Sequence, residues 1–496
     1  MLRFKRMSVL VMTASLVLSG AARAGTSKLW GEQGEKWNET SPLPDFRYAG
    51  YHSGRDAVPQ HPAVTDVKQH GAVGDGKTDD TAAFLAAVRQ ASQNRRTGVA
   101  VSIPPGRYVI TDVIRMPGHV TLRGAGVGKT VLVMPKSLEE LGGARSVEGE
   151  KSGYAFAGGF VTISGKEKTA RVAPLAADAK RGDRKLVLER TGQLVKDQWI
   201  RVVTNNDKSL GRYLHGDRFD AGSGTFDHKN FIDWVAQIEN VDGKTLTLDR
   251  PLRIDLRKAW QPEVWTYQPG VEGVGVEQLT FEFAGREKRP HLKEEGFNAI
   301  YFEGADNCWV RDVEFIDADN AINVTDARFI HVENVVFKES KRQSPSGHHA
   351  LWARRAQDCL FTNFRFETRY VHDLSVEGFA CGNVFEKGKG VAINFDHHAN
   401  APYENLFTEI AVGDVSRLWQ SGGSAERLPH TGVRSVIWGV MYERGKLSKL
   451  PDWPQLIVVG VKGYTSGSDD QIVEEASGRV TPQNLFEAQT KMKSSR

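Results

Sequence analysis

Between His348 and His398 the chain gathers side chains that take up, hand on or attract protons: His348 and His349, Arg354 and Arg355, the run from Arg369 to Asp373, Lys387 and Lys389, and Asp396 to His398. Carboxylates at Asp373, Glu377 and Asp396 are interleaved with them, and Glu303 stands earlier in the chain. Imidazole is the one side chain whose ordinary charge change falls near neutrality, so a group of histidines suits proton abstraction. Two chemistries fit this set. In the first, His372 or His397 removes a proton beside a carboxylate held by Arg354, and Glu377 with Asp396 holds Ca2+ through oxygen ligands. In the second, two carboxylates flank a glycosidic bond. A Glu377 and Asp396 pair about 5 Å apart would retain configuration, and Asp373 or Glu303 with Asp396 would stand farther apart.

What must position these groups is a repeat. One pattern returns five times, beginning at Asn298, Asn320, His349, His372 and Val391, spacings of 22, 29, 23 and 19 residues by subtraction. That period is the mark of a solenoid, in which each unit buries its apolar face on its neighbours. Within a copy, one alternating run (Ile322, Val324) is followed by a turn, a second run (Ile330, Val332), a polar residue and a third run (Val335, Phe337). Three short strands per coil describe a parallel β-helix. The polar residue is Asp312, Asn334, Asn363, Asn383 and Asn405 in turn, and a stacked ladder of these side chains at one bend is expected.

Alternation then sorts the first strands into columns. Ile300, Ile322, Leu351, Leu374 and Ile393 are expected inward, followed two residues later by Phe302, Val324, Ala353, Val376 and Phe395. The outward columns expected are Tyr301, Asn323, Trp352, Ser375, Asn394, and beside them Glu303, Thr325, Arg354, Glu377, Asp396. A third column holds Ala299, Ala321, Ala350, Asp373 and Ala392. Such a face makes a groove for a long sugar chain, with Trp352 and Tyr301 stacking on rings. Asn323, Asn394, His349, Lys389 and Glu303 would bind its polar groups.

The ends and the composition limit the partners. The first 24 residues carry Arg3, Lys5 and Arg6, an apolar run from Met7 to Leu18, and Ala22-Arg23-Ala24. This reads as a signal peptide, and export to the periplasm or the exterior is expected. Its removal takes away four basic residues and no acids, so the net charge of +4 becomes 0. No basic field remains to argue for nucleic acid, and no other stretch is apolar enough to insert in a membrane. Cys308, Cys359 and Cys381 are too few for a disulfide scaffold; Cys308 and Cys359 stand level with Ile330, in the core.

From Gly25 to Pro62 no period is visible, and an arm along the solenoid is expected. Val64 to Val67 reads as a strand, followed by a Gly-rich turn and a helix capped by Thr78 or Asp79, with Phe84, Leu85 and Val88 on its apolar face. That helix would close the open end of the first coil. Gly71 to Thr81, and the P-x-G-x-Y segment from Pro104 to Tyr108, resemble the opening of the pectate-lyase-like superfamily. The resemblance implies a right-handed parallel β-helix, all-β, in a carbohydrate-active protein that is a monomer or a trimer. The polygalacturonase-like branch shows N-T-D, D-D, G-H-G and R-I-K motifs. Only Asn323-Val-Thr-Asp326 and Gly347-His-His349 approach them here. Gly124 to Thr130 has the look of a phosphate loop, but Arg123 stands where that spacing requires glycine.

Residues 141–270 break the rhythm and read as an inserted β subdomain. Its loop 205–231, with Arg212, His215, Asp217, Arg218, Asp227 and His228, either stays solvated or folds across the groove. The coils resume over 271–465, and a poorly ordered tail is expected over 466–496. The expectation is an exported enzyme that cleaves a uronic-acid-containing polysaccharide by β-elimination. A glycoside hydrolase or transglycosylase on the same face is the second reading, and a non-catalytic carbohydrate-binding protein the third.

Overall fold

The computed structural model describes residues 24–93, 97–142, 155–205, 208–216, 230–283, 289–341, 345–423, 430–475 and 477–493. The leader lies outside them except for Ala24. Two parallel sheets are built by the stacked coils. One has its strands in the order Ile114–Arg115, Val161–Ser164, Ile300–Glu303, Asn320–Thr325, His349–Arg354, His372–Glu377 and Phe395–His398. The other, of 16 strands, runs from Ala63–Asp66 to Ile472–Glu474. Successive coils pair in parallel, so Ile322 lies beside Leu351 and Leu351 beside Leu374.

Between the sheets the apolar columns stack. Phe281, Phe315, Phe337 and Phe366 follow one another with centroids 5.5, 5.5 and 4.5 Å apart and nearly parallel planes. That spacing is set by the 4.7–4.9 Å between paired strands. Cys308 and Cys359 are buried in the same core.

The expected second and third runs are one strand rather than two. His331–Lys338 is continuous and bends at Asn334, whose φ is 57°. The same left-handed corner recurs at Gln278, Asp312 and Asn363 and continues at Lys387 and Glu409. The amide of Asn334 donates to Asp312 over 2.8 Å, and Asn363 donates to Asn334 over 2.5 Å. Asn and Asp tolerate this conformation because a short polar side chain bonds locally. Asn383 and Asn405 are not in that ladder. They stand four residues earlier in their coils, level with Cys359, fully buried, and bonded to each other over 2.9 Å. The third face of each coil shrinks to a column of single-residue bridges through Asp306, Arg328, Gln357, Cys381, Tyr403 and Val433.

That narrow face is where the insert packs. Its six antiparallel strands begin at Lys168 and end at Gln268; Val161–Ser164 belongs to the coils. Entry and exit touch at Gly165 and Gly270, where neither backbone leaves room for a Cβ. Gln357 imitates a strand, exchanging 2.8 Å bonds with both backbone groups of Val235. The helix Lys208–His215 buries Leu210 and Leu214 in the core that the insert shares with Cys381, Tyr403 and Val433 of the narrow face, so the described part of the 205–231 loop, Arg212 and His215 included, does not cross the groove. Asp217, Arg218, Asp227 and His228 lie outside the described residues.

The helix Thr81–Ser92 closes the first coil with Phe84, Ala87, Val88 and Ala91. Asp80 occupies its N-cap, Asp79 accepts from the Thr81 amide, and Leu85 is only half-buried. At the other end the tail is folded. Strands at Val436–Trp438 and Ile457–Val459 continue the long sheet, Ile472–Glu474 extends it past 465, and Leu485–Lys493 is a helix. Leu485 and Phe486 bury against Trp438 and the arm residues Trp30, Trp37 and Phe46. Apolar side chains inside a polar segment supply the burial that orders it.

Candidate active site

The seven-stranded sheet carries the candidate site on its outer face. Its register places Tyr301, Asn323, Trp352, Ser375 and Asp396 in one column, and Glu303, Thr325, Arg354, Glu377 and His398 in the next. The last strand is therefore set two residues from the expected pairing. Phe395, not Ile393, lies beside Leu374, and the surplus is taken up in the turn before it. A two-residue shift keeps each side chain on its face but changes its neighbours. Asp396 stands beside Ser375, and Glu377 beside His398, so the two carboxylates are offset rather than opposite.

Asp396 is fully buried and ringed by donors. Ser375 Oγ donates to its Oδ2 over 2.9 Å, the Gly422 amide to Oδ1 over 2.8 Å, and His398 Nδ1 to Oδ2 over 3.0 Å. His372 Nδ1 lies 3.2 Å from the same Oδ2. An added Cβ on Gly422 would strike the His372 ring, which accounts for glycine there. Although burial opposes it, His372 and His398 hold the carboxyl of Asp396 well below the usual range. An ionised Asp396 only accepts, so the Ser375 hydroxyl donates its hydrogen bond to it and in turn accepts from His349 Nδ1 at 3.1 Å.

The imidazoles crowd together. His349 stacks on Trp352 with centroids 3.9 Å apart, and on His372 at 4.7 Å. His372 meets His398 edge-on at 5.1 Å. Burial, reinforced by the neighbouring rings, pulls His349 well below its ordinary value. Burial also brings His372 to about 3, against the pull of Asp396. Burial lowers His430, which accepts from the Ala399 amide beside His398.

Glu377 accepts from Trp352 Nε1 over 3.0 Å, and Arg354 Nε is 3.8 Å from its other oxygen. Arg354 also lies over the Phe156 ring at 5.8 Å. Tyr301 keeps its proton strongly, because burial and then Glu303 raise its hydroxyl.

Four expected site residues stand elsewhere. His397 points into the core, 4.0 Å from the Trp453 ring, and burial lowers it to about 4. The alternation that turns Phe395 inward turns His397 inward too. Asp373 shares its column with Ala299, Ala321 and Ala350, which belong to the apolar core. It is fully buried and ion-paired with Arg417 at 2.9 Å. Asn394 precedes the last strand and is consumed as a brace, accepting from the Asp373 amide and donating to the Gln420 carbonyl. Lys389 pairs with Arg365 in the long sheet, away from this face.

The open groove expected from alternation is roofed in part. Asn320 and Asn323 donate to the Phe156 carbonyl, and the Gln420–Gly423 turn closes over Asp396. Trp352, Glu377 and Ser375 are buried, whereas Glu303 is exposed and Arg354 and His398 are partly open. A Ca2+ ion shared by Glu377 and Asp396 does not fit this arrangement. Ca2+ takes 6–8 oxygen ligands, yet Asp396 faces imidazoles, a hydroxyl and an amide. Glu377 faces an indole and a guanidinium.

Three residues that matter here escaped the reading of the sequence as ligands or bases: His398, His291 and Glu294. Parity along Phe395–His398 points to His398. His291 and Glu294 precede the first copy, where no repeat locates them.

A family model described as rhamnogalacturonase A/epimerase, pectate lyase-like, matches residues 64–161. A second model, a domain of unknown function (DUF4955), matches residues 370–496. The chain is 38% identical over 72 residues to a pre-neck appendage protein of Bacillus phage B103, covering 14% of this chain and 8% of that protein. It is 34% identical over 111 residues to alginate lyase 7 of Azotobacter vinelandii, covering 21% of this chain and 13% of that one. The chain thus spans a small part of the length of either relative. Among solved structures, the gp61 tailspike of Pseudomonas phage phi297 aligns with 80% of this chain and 67% of its own at 12% identity, with a TM-score of 0.48. With its stacked parallel coils the chain has the parallel β-helix fold, and over residues 64–161 it is similar to the pectate lyase-like family.

Proposed function

We propose that the protein is an exported enzyme that cleaves a uronic-acid-containing polysaccharide by β-elimination, with His398 as base and acid, Asp396 as its orienting carboxylate, and Arg354 as the grip on the uronate. The observation that carries this reading is the bond between His398 Nδ1 and the buried Asp396. It commits Nδ1 as donor, so Nε2 takes the proton in this reading, and Asp396 stabilises the imidazolium that forms. The carbon–hydrogen bond beside the carboxylate breaks and its electron pair becomes a carbon–carbon double bond. The bond to the departing sugar oxygen breaks, and that oxygen receives the proton back from His398. Arg354, two coils away in the same column and reaching toward Glu377, supplies the charge that makes the proton acidic.

The hydrolase reading is less well supported. Asp396 is locked by protein donors and held ionised, and Asp373 is behind the sheet, so neither supplies this face with the protonated carboxyl such an enzyme needs. Export rests on the N-terminal leader. Among the described residues no helix is long and apolar enough to cross a membrane.

The test incubates the full chain with a panel of anionic and neutral polysaccharides, following absorbance near ~235 nm, where a conjugated uronate from base-catalysed elimination absorbs, together with reducing ends. Absorbance and ends rising together, and lost in His398→Ala, are expected. New ends without absorbance would overturn elimination in favour of hydrolysis, and binding without either would leave a carbohydrate-binding protein.

A further inference from the structure

We propose that His291, His348 and His372 form a site for one divalent first-row transition-metal ion, Zn2+ by preference. The inference goes beyond the elimination reading and stands independently of it. One ligand atom from each of the three residues lies within 4.8 Å of the other two. His291 Nε2 and His348 Nε2 are 3.3 Å apart, with ring planes at 61°. Two imidazoles bound at about 2.0–2.1 Å to a tetrahedral ion hold their nitrogens about 3.3–3.4 Å apart. The two rings therefore already stand as such a pair would.

Each buried member has a carboxylate behind it. His348 Nδ1 lies 3.1 Å from Glu294 Oε1, and His372 Nδ1 lies 3.2 Å from Asp396 Oδ2; all four residues are buried. A metal-binding histidine commonly turns its second nitrogen to a carboxylate, which sets the tautomer and strengthens the ligand. With Nδ1 so placed, Nε2 is the nitrogen that each ring has for a metal. His291 is exposed and gives the ion a way in. Three protein ligands leave a fourth position open, as in sites that bind water or substrate. A set of three imidazoles favours Zn2+ over Ca2+ or Mg2+, which prefer oxygen. Asp396 would then stand between this site and His398.

The experiment strips the tag-free full chain with a chelator, restores Zn2+, and counts bound metal by mass spectrometry. Co2+ in place of Zn2+ reports ligand geometry by visible absorption. One ion per chain is expected, lost at least a hundredfold in affinity in His291→Ala and His348→Ala, and weakened about tenfold to a hundredfold in Glu294→Gln. His291 is exposed, so its variant should keep the parent's melting profile, and that is measured alongside. His398→Ala is expected to keep the ion. Failure to bind stoichiometric Zn2+, or binding that survives both His291→Ala and His348→Ala, overturns the proposal. So does an ion lost in His398→Ala but kept in His291→Ala, which would place it on His372, Asp396 and His398. Metal content and the Co2+ spectrum are read without substrate, so a failed elimination assay leaves this result untouched.

Discussion

His398 Nδ1 donates to Asp396 Oδ2 over 3.0 Å, and this bond sets the tautomer of the ring. The two residues are neighbours on one strand face, two positions apart. A carboxylate without a proton accepts only, so the ring adopts the tautomer with hydrogen on Nδ1.

Asp396→Asn keeps the shape but offers an amide that can donate, which permits the wrong tautomer. Turnover is expected to fall on the order of a hundredfold to ten-thousandfold. KM should change little, because Asp396 is buried beneath the ring. A loss confined to KM would place Asp396 in substrate binding instead.

Arg354→Lys retains the charge but not the forked grip, and Arg354→Ala removes both. Weaker capture of an anionic polymer is expected in that order, with kcat/KM down about tenfold or more in the alanine variant, from the ~1.5–3 kcal/mol of a hydrogen bond to a charged group. High salt should narrow the gap between parent and variant, since Arg354 is partly open to solvent. Equal activity in all three proteins would remove Arg354 from the site.

Asp306 gives a pH dependence of stability. It accepts from the Tyr267 hydroxyl at 3.0 Å, and burial pushes it up to about 7 although Arg328 opposes this. A carboxyl raised above its ordinary 3.8 binds its proton more tightly in the folded chain. Its contribution is complete below that ordinary value and is lost as pH rises through about 7. Asp306→Asn lacks this titration, so its melting temperature relative to the parent should climb between pH 5 and pH 8, values on either side of the raised one. A constant difference would show that Asp306 keeps an ordinary value.

Asn334 tests the corner ladder. Asn334→Ala loses two side-chain bonds and places a Cβ without compensation at φ 57°, at an expected cost of about 1–2 kcal/mol. Asn334→Gly keeps the conformation open and should cost less in chemical denaturation. The reverse order would mean that the left-handed backbone at this corner is not what makes substitution costly.

Phe337 tests the stacked core. It sits between Phe315 and Phe366, fully buried, and Phe337→Ala should cost about 3–5 kcal/mol through the cavity left between coils. A loss under about 1 kcal/mol would mean that the stack collapses to fill it.

What the sequence by itself determined is the solenoid and its two faces. Alternation placed Ile322 and Val324 inward and Asn323 and Thr325 outward, since a strand has a side-chain period of two and burial enforces it. Asp312, Asn334 and Asn363 announced a corner because their residue type tolerates the left-handed backbone. Register at the last strand was not legible: Ile393 and Phe395 satisfy the pattern equally, and only the packing of the turn before the strand selects Phe395. Parity would have found His397 in the core, but nothing local shows Asp373 buried on Arg417, or Asn394 used as a brace. The convergence of His291 and Glu294 on His348 was beyond reach from the repeat. Those two residues lie in a connection between coils, and where a connection folds over a sheet is decided by long-range packing, which leaves no period in the sequence.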